Sequence, residues 1–330
     1  MEALGLAEFD RQSEEFDALV AATPDIDHFC SSSDWIVPAS TSLMPPRVPW
    51  LFKSEGAQVA LMRCRHPQGW NYLEPLEAMW GLACPVVGPD AGQLARDLDQ
   101  LLQRREADWD MVMLTGLPPE SLFTAELARY LLRRYELLRG PATRRCVASL
   151  AGGLDGYLSR RSRGIRRSLR RALRTANSAG IEFIACDTTD PDQAKILYER
   201  VVAVEARSWK GRSGVGIESG RMYEFYRAMV PRLARRGGLK LMFARDLRRS
   251  ADHDVAYVLG GIFASTYRGL QFSFDVDYQS YALGNLCQYH QIAELCEQQI
   301  AEYDLGTEMD YKRNWAEATR DSASLVVVKR

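Results

Sequence analysis

A chain of 330 residues, 46% of them hydrophobic, is too long for one ordinary domain and suits two of about 150 residues, each with a sizeable core. The formal charge of -1 excludes a uniformly basic or acidic protein but hides an asymmetry: residues 1–150 carry 14 Lys plus Arg against 21 Asp plus Glu, residues 151–330 carry 28 against 22. An anionic partner therefore belongs to the second half.

The chain opens with a polar, acidic segment without the basic start and apolar run of a signal peptide, and no stretch approaches the apolar length of a membrane helix. A cytoplasmic protein with no membrane insertion is expected. The seven cysteines are scattered, odd in number and without a Cys-x-x-Cys pair, and read as reduced, mostly buried residues. Two strands follow, Pro49–Lys53 and Gln58–Cys64, joined as a hairpin at Ser54-Glu55-Gly56. Periodicity then predicts a helix over 92–105, a strand over 109–114 and a helix over 119–138. The clearest breaks, Gly140-Pro141 and Gly152-Gly153, set domains at 1–150 and 151–330.

The second half begins with an Arg-rich helix over about 155–178 and a strand over 181–186. Next comes a helix capped by Asp190, with Pro191 in its first turn, ending near Lys210, and then a helix over 219–236 stopped by Gly237-Gly238. Strands are expected over 240–245, 255–264 and 270–275, a helix over 284–300, a strand over 303–305 and a final strand over 324–329 completing this half.

Three stretches carry a family resemblance. One is Tyr303-Asp304-Leu305-Gly306 running into Glu308-Met309-Asp310-Tyr311-Lys312-Arg313-Asn314-Trp315. The second runs from Gly164 to Arg174 and through Ala179-Gly180 into Ile181-Glu182-Phe183-Ile184; the third is Glu205-Ala206-Arg207-Ser208-Trp209-Lys210-Gly211. Together they resemble the catalytic domain of CelD-like, FemAB-related acyltransferases of the GNAT superfamily, over roughly half the chain. The resemblance implies an α/β fold: a GNAT-like mixed sheet flanked by helices, in two tandem domains, complete at 151–330 and degenerate at 1–150. It implies an N-acyltransferase moving an acyl group from acyl-CoA or an acyl carrier protein directly to a small-molecule or peptide amine, with no metal and no permanently bound cofactor. A Fem-like transferase using aminoacyl-tRNA and a non-catalytic anion-binding scaffold are the alternatives.

In that superfamily the donor pyrophosphate sits at a helix N-terminus after a Gly-rich turn, where unsatisfied N–H groups favour an anion. The matching place is Gln279, Gly284, Asn285 and Leu286, with Ala282 standing where the pattern has its first glycine. Eight arginines lie between Arg160 and Arg174 without one acidic residue among them. Such a run repels itself unless something anionic is near. Arg166, Arg167 and Arg170 are candidates for binding a tRNA backbone, a carrier-protein surface or donor phosphates; pairing with carboxylates of the acidic first half is the other reading.

Acyl transfer to an amine needs a proton acceptor and a stabilised oxyanion. The candidates are Glu205, Asp304, Tyr311 and Lys312, with Trp209 and Lys210 beside Glu205 and with Phe272 and Phe274 shaping an apolar pocket. Asp304, a lone carboxylate in an apolar strand, needs a cation. Lys312 or an arginine of the basic helix is the expected partner. The glycines from Gly211 to Gly216 follow a helix, not a strand, and so make no dinucleotide fingerprint. Cys287 and His290 share a helix face but lack a third ligand and read as core or surface.

Overall fold

The structure, a computed structural model, describes residues 1–250 and 253–330. It divides into two compact units, Met1–Arg144 with Asp321–Arg330, and Arg145–Arg320.

In the first unit a short strand β1 (Glu2–Leu4) precedes four helices, α1 (Leu6–Arg11), α2 (Ser13–Ala22), α3 (His28–Ser31) and α4 (Ser33–Ser42). Their apolar anchors Phe9, Phe16, Val20, Phe29 and Trp35 are buried, although the segment reads from its composition as merely polar and acidic. The predicted hairpin is present as β2 (Val48–Ser54) and β3 (Ala57–Arg65). It turns at Gly56, whose φ of 76° suits glycine. Strand β4 (Asn71–Pro75) and the two-residue β5 (Val86–Val87) both pair antiparallel with β3; helix α5 (Ala91–Arg104) then crosses over to β6 (Met111–Leu117), parallel to β4.

Helix α6 (Leu122–Leu131) is shorter than the helix expected to reach Leu138. Its last predicted turns form strand β7 (Tyr135–Arg139) instead, because there a ladder with the C-terminal strand satisfies their backbone groups. Strands β8 (Thr143–Ser149) and β14 (Ala318–Lys329), the first and last of this stretch of chain, each run across the division between the units. The residues of β14 from Ala323 onward pair with β6 and β7, so the final strand ends in the first unit and does not complete the second half.

In the second unit α7 (Gly153–Ser159) and α8 (Arg163–Ser178) replace the single Arg-rich helix expected. The break falls at Ser162, whose side chain accepts from the Ile165 N–H and starts α8. Strand β9 (Ile181–Ala185) follows, then α9 (Pro191–Arg207) with its Asp190 cap, and a short α10 (Trp209–Arg212). The chain restarts between these two helices because Ser208 Oγ accepts from the N–H groups of Lys210 and Gly211. Helix α11 (Gly220–Arg235) leads into β10 (Leu239–Asp246), β11 (Asp254–Phe263) and β12 (Thr266–Phe274), and α12 (Leu283–Glu297) crosses over to β13 (Glu302–Thr307).

The sheet order of this unit is β8-β13-β12-β11-β10-β9, antiparallel except for the parallel pair β12 and β13. On one face Leu169 and Ala176 of α8 and Leu286, Ile292 and Leu295 of α12 share a core with Met242, Ala256 and Val258. On the other α9 and α11 bury Leu197, Val201, Phe225 and Met229. Each fully buried side chain of this kind contributes about 1.5–3 kcal/mol. No helix among the described residues is long and apolar enough to cross a membrane.

Candidate active site

The parallel register of β12 and β13 runs from Thr266 opposite Glu302 to Arg268 opposite Asp304, and stops there. Just beyond, Leu270 is an extra residue against β11, because Gln271 pairs with Leu259 while Gly269 pairs with Gly260. Such a bulge bends its strand and ends pairing locally. The two strands part, and a cavity of about 40 Å³ opens between them, lined among others by Gly269, Leu270, Phe272, Gln288, Tyr311 and Lys312. The Asp275 N–H donates to the Val255 oxygen at 2.8 Å, toward β11. Backbone groups alternate along a strand, so the N–H and C=O of Phe272 face the parted edge.

Glu205 ends α9 with its side chain fully buried. Its Oε2 accepts from Tyr257 Oη at 2.9 Å, while Oε1 takes no hydrogen bond from the described residues and stands 3.7 Å from Lys210 Nζ. Lys210 donates to the Phe272 oxygen at 2.8 Å and to Gln271 Oε1 at 3.2 Å. Burial lowers the Lys210 pKa, and the Glu205 charge opposes that shift. The same burial, reinforced by Glu205, pushes the Tyr257 phenol well up, so Tyr257 is a donor that stays protonated. Glu205, Lys210 and Phe272 are thus brought together; Trp209, on the first turn of α10, is 56% exposed beside them.

Across the gap, the Tyr311 ring meets the Phe272 ring edge-on at 5.6 Å. Burial raises the Tyr311 pKa. Lys312 donates to the Thr307 oxygen at 2.8 Å, and its pKa falls to about 8, through burial first and then the nearby Arg268 guanidinium.

Asp304 departs from the expected pairing. It is fully buried, and its Oδ2 is held by Arg145 and, at 3.0 Å, by Arg268; its Oδ1 accepts from the Gly306 N–H at 2.7 Å. Neither Lys312 nor the basic helix supplies its cation. Both of its guanidinium partners come from neighbouring strands, β8 and β12, which the register sets opposite β13; the sequence order hides that proximity.

At the start of α12 the cap residue Ala282 adopts the left-handed conformation, φ 55°, without a side-chain cap, and the first turn carries no acidic residue. By contrast, Asp90 caps α5 with its own side chain. Gly284 is buried: a Cβ there would stand 3.0 Å from the Phe272 ring and 3.6 Å from that of Phe274. Gln279 and Asn285 are exposed, and Leu286 is a core residue.

The basic stretch divides by role. Arg160 and Arg161 bind Glu317, whereas Arg163, Arg166, Arg167, Arg170, Arg171 and Arg174 on α8 pair with no carboxylate among the described residues.

Two residues that sequence reasoning missed face this region. Gln288 lines the cavity, is 4% exposed, and its Nε2 has no hydrogen-bond partner among the described residues. Glu218 likewise has a buried Oε2 without a partner, 2.1 Å from where a Cβ on Gly216 would lie; Glu205 Cγ is 3.1 Å from the same point. A Cβ on Gly211 would meet the Glu205 oxygen at 2.4 Å. The glycines between 211 and 216 therefore let the loop close against Glu205. Their spacing was the one available signal. Cys287 is fully buried, and His290 stacks on Phe183 at 4.3 Å.

Residues 163–313 match the family model of the acetyltransferase (GNAT) domain. No curated protein matches the chain. Among solved structures, FemX aligns with a TM-score of 0.65 at 12% identity, over 94% of this chain and 95% of that one. A conserved protein of unknown function from Bacteroides thetaiotaomicron gives 0.63 at 13% identity, over 99% and 98%. The C-terminal domain of a putative lysylphosphatidylglycerol synthetase from Agrobacterium fabrum gives 0.59 at 10%, over 98% and 92%. These likenesses are likenesses of fold. With the domain match they bear out the GNAT-like mixed α/β architecture and the GNAT resemblance, and the matched domain is that of a transferase.

Proposed function

We propose that the protein is an N-acyltransferase that carries an acyl group from a thioester donor, acyl-CoA or an acyl carrier protein, directly to the primary amine of a small molecule or peptide. The observation that carries this reading is the parted edge of β12, where the Phe272 backbone faces a gap walled by Tyr311 and Lys312, with the buried Glu205 beside it. The amine nitrogen attacks the thioester carbonyl and gives its proton to Glu205, directly or through one water. The Phe272 N–H stabilises the oxyanion. When the C–S bond breaks, the Lys312 ammonium or the Tyr311 hydroxyl protonates the departing thiolate, and no bond to the protein forms. In this reading Asp304 shapes the cleft from below through its two arginines and does not exchange protons, and Gln288 offers its amide to the donor. A mass-spectrometric screen of the purified protein against CoA thioesters, charged carrier proteins and charged tRNAs, with a pool of amines, tests it. N-acylated product from a thioester is expected; product from charged tRNA alone would sink the reading.

One observation favours a second reading. Ala282 replaces a close-approach glycine, and the Phe272 and Phe274 rings crowd Gly284, so a pyrophosphate has less room at α12 than in the superfamily pattern. Fem-type transferases, to which the sequence is similar, take an aminoacyl group from tRNA and do without that pyrophosphate. Ribonuclease sensitivity of the activity separates the two.

A further inference from the structure

The arginine face of α8 adjoins a groove that the chemistry above leaves unused. Leu158, Leu169, Leu173 and Tyr289 line a cavity of about 230 Å³, and Arg166 and Arg170, one turn apart on α8, stand at it. Arg166 Nε is buried there without a hydrogen-bond partner. Four further arginines, Arg163, Arg167, Arg171 and Arg174, extend the charge along about 17 Å of helix, none of them paired with a carboxylate among the described residues.

We propose that this surface docks an acidic amphipathic helix of an acyl carrier protein, which delivers the donor thioester; the proposal rests on the thioester-dependent reading above. Charge complementarity decides the sign of the partner, since an unpaired row of guanidinium groups stabilises only an anionic face. The length of the row decides its size: a small anion or a single carboxylate needs one or two arginines, not six over about three turns. The groove decides its class. A cavity walled by three leucines and a tyrosine between two guanidinium groups receives an aliphatic side chain flanked by carboxylates, the pattern of an acidic amphipathic helix. A nucleic-acid backbone presents the charge without the aliphatic tooth. The groove also shares α12 with the donor gap: Tyr289 lies five residues, about 7.5 Å of axial rise, beyond Gly284.

The test uses the full chain and a panel of purified acidic acyl carrier proteins, fluorescently labelled, with binding followed by anisotropy. Wild-type protein is expected to bind a carrier in the micromolar range. In R166E/R170E the Kd should rise by about 100-fold, as should the KM for the carrier-borne acyl group, while turnover from the same acyl group on CoA stays within about twofold. The milder R166Q/R170Q, checked by its melting curve, should give about a 10-fold loss if the reversal variant misfolds. Raising the salt to about 0.5 M should leave residual carrier binding through the apolar tooth, where a nucleic acid would dissociate. Unchanged carrier affinity in both variants overturns the proposal, as does tRNA binding through these arginines by a protein that binds no carrier. Failure of the acyltransferase reading looks different: no turnover from either donor, with carrier binding intact.

Discussion

Lys210 donates to the main-chain oxygen of Phe272 at 2.8 Å. That contact ties the loop carrying α10 to the parted edge of β12, and the Glu205 carboxylate lies 3.7 Å from the same ammonium. In the proposed reaction that one cation would position both the base and the oxyanion donor.

Glu205→Gln keeps the shape of the side chain and the acceptor for Tyr257 while removing the charge. Turnover is expected to fall by about 10²–10⁴-fold with donor KM nearly unchanged. Steady-state kinetics beside a melting curve checks it; equal losses of both would make Glu205 a packing residue.

The Lys312 pKa of about 8 places its titration within reach of ordinary buffers. If the ammonium protonates the leaving thiolate, the active form is the protonated one, so the rate should fall as pH rises through about 8. Lys312→Met should flatten that limb. Stability moves the other way: the folded pKa lies below the unfolded one, so the unfolded chain binds more protons between them, and folding becomes more favourable as pH rises from about 8 to the ordinary lysine value. Rate and melting profiles of opposite slope over this window are the expected signature.

Asp304→Asn should behave as a loss of structure. Removing the charge leaves the buried Arg145 and Arg268 guanidinium groups without their anion, at a cost of about 3–5 kcal/mol. Denaturant unfolding should show that loss, and the surviving folded fraction should turn over at close to the wild-type rate. A stable variant with little activity would return Asp304 to the chemistry.

Gln288→Leu removes a buried amide whose Nε2 has no hydrogen-bond partner among the described residues. It should leave the melting temperature unchanged or higher and raise the donor KM by about 10-fold, the value of one hydrogen bond. An unaltered KM would show that the amide never meets the donor.

Gly284→Val brings a side chain to within 3.0 Å of the Phe272 ring and should cost about 1–3 kcal/mol of stability as well as donor affinity.

Much of this arrangement was legible in the sequence because local periodicity and caps set it. Asp190 with Pro191, the hairpin at Gly56 and the succession of strands and helices from β9 to β13 all follow from neighbours in the chain. Asp304 was recognisable as a buried carboxylate needing a cation, but its partners lie 159 and 36 residues away, and only the strand register of β8, β12 and β13 reveals them. Gln288 and Glu218 carry no motif; their roles arise from which atoms burial leaves unpaired. Of the four N-terminal helices, α1 and α3 are too short to show a period, and α4 is buried on nearly every side, so no apolar stripe marks it.

Both units run three antiparallel strands, a crossover helix and a strand parallel to the third, yet their crossover helices begin differently. Asp90 already fills the N-terminus of α5 with a negative charge, whereas Ala282 leaves that of α12 open. A chain that carries the same topology twice should therefore titrate with one equivalent of an anionic donor, not two, and isothermal calorimetry should return a stoichiometry of one per polypeptide.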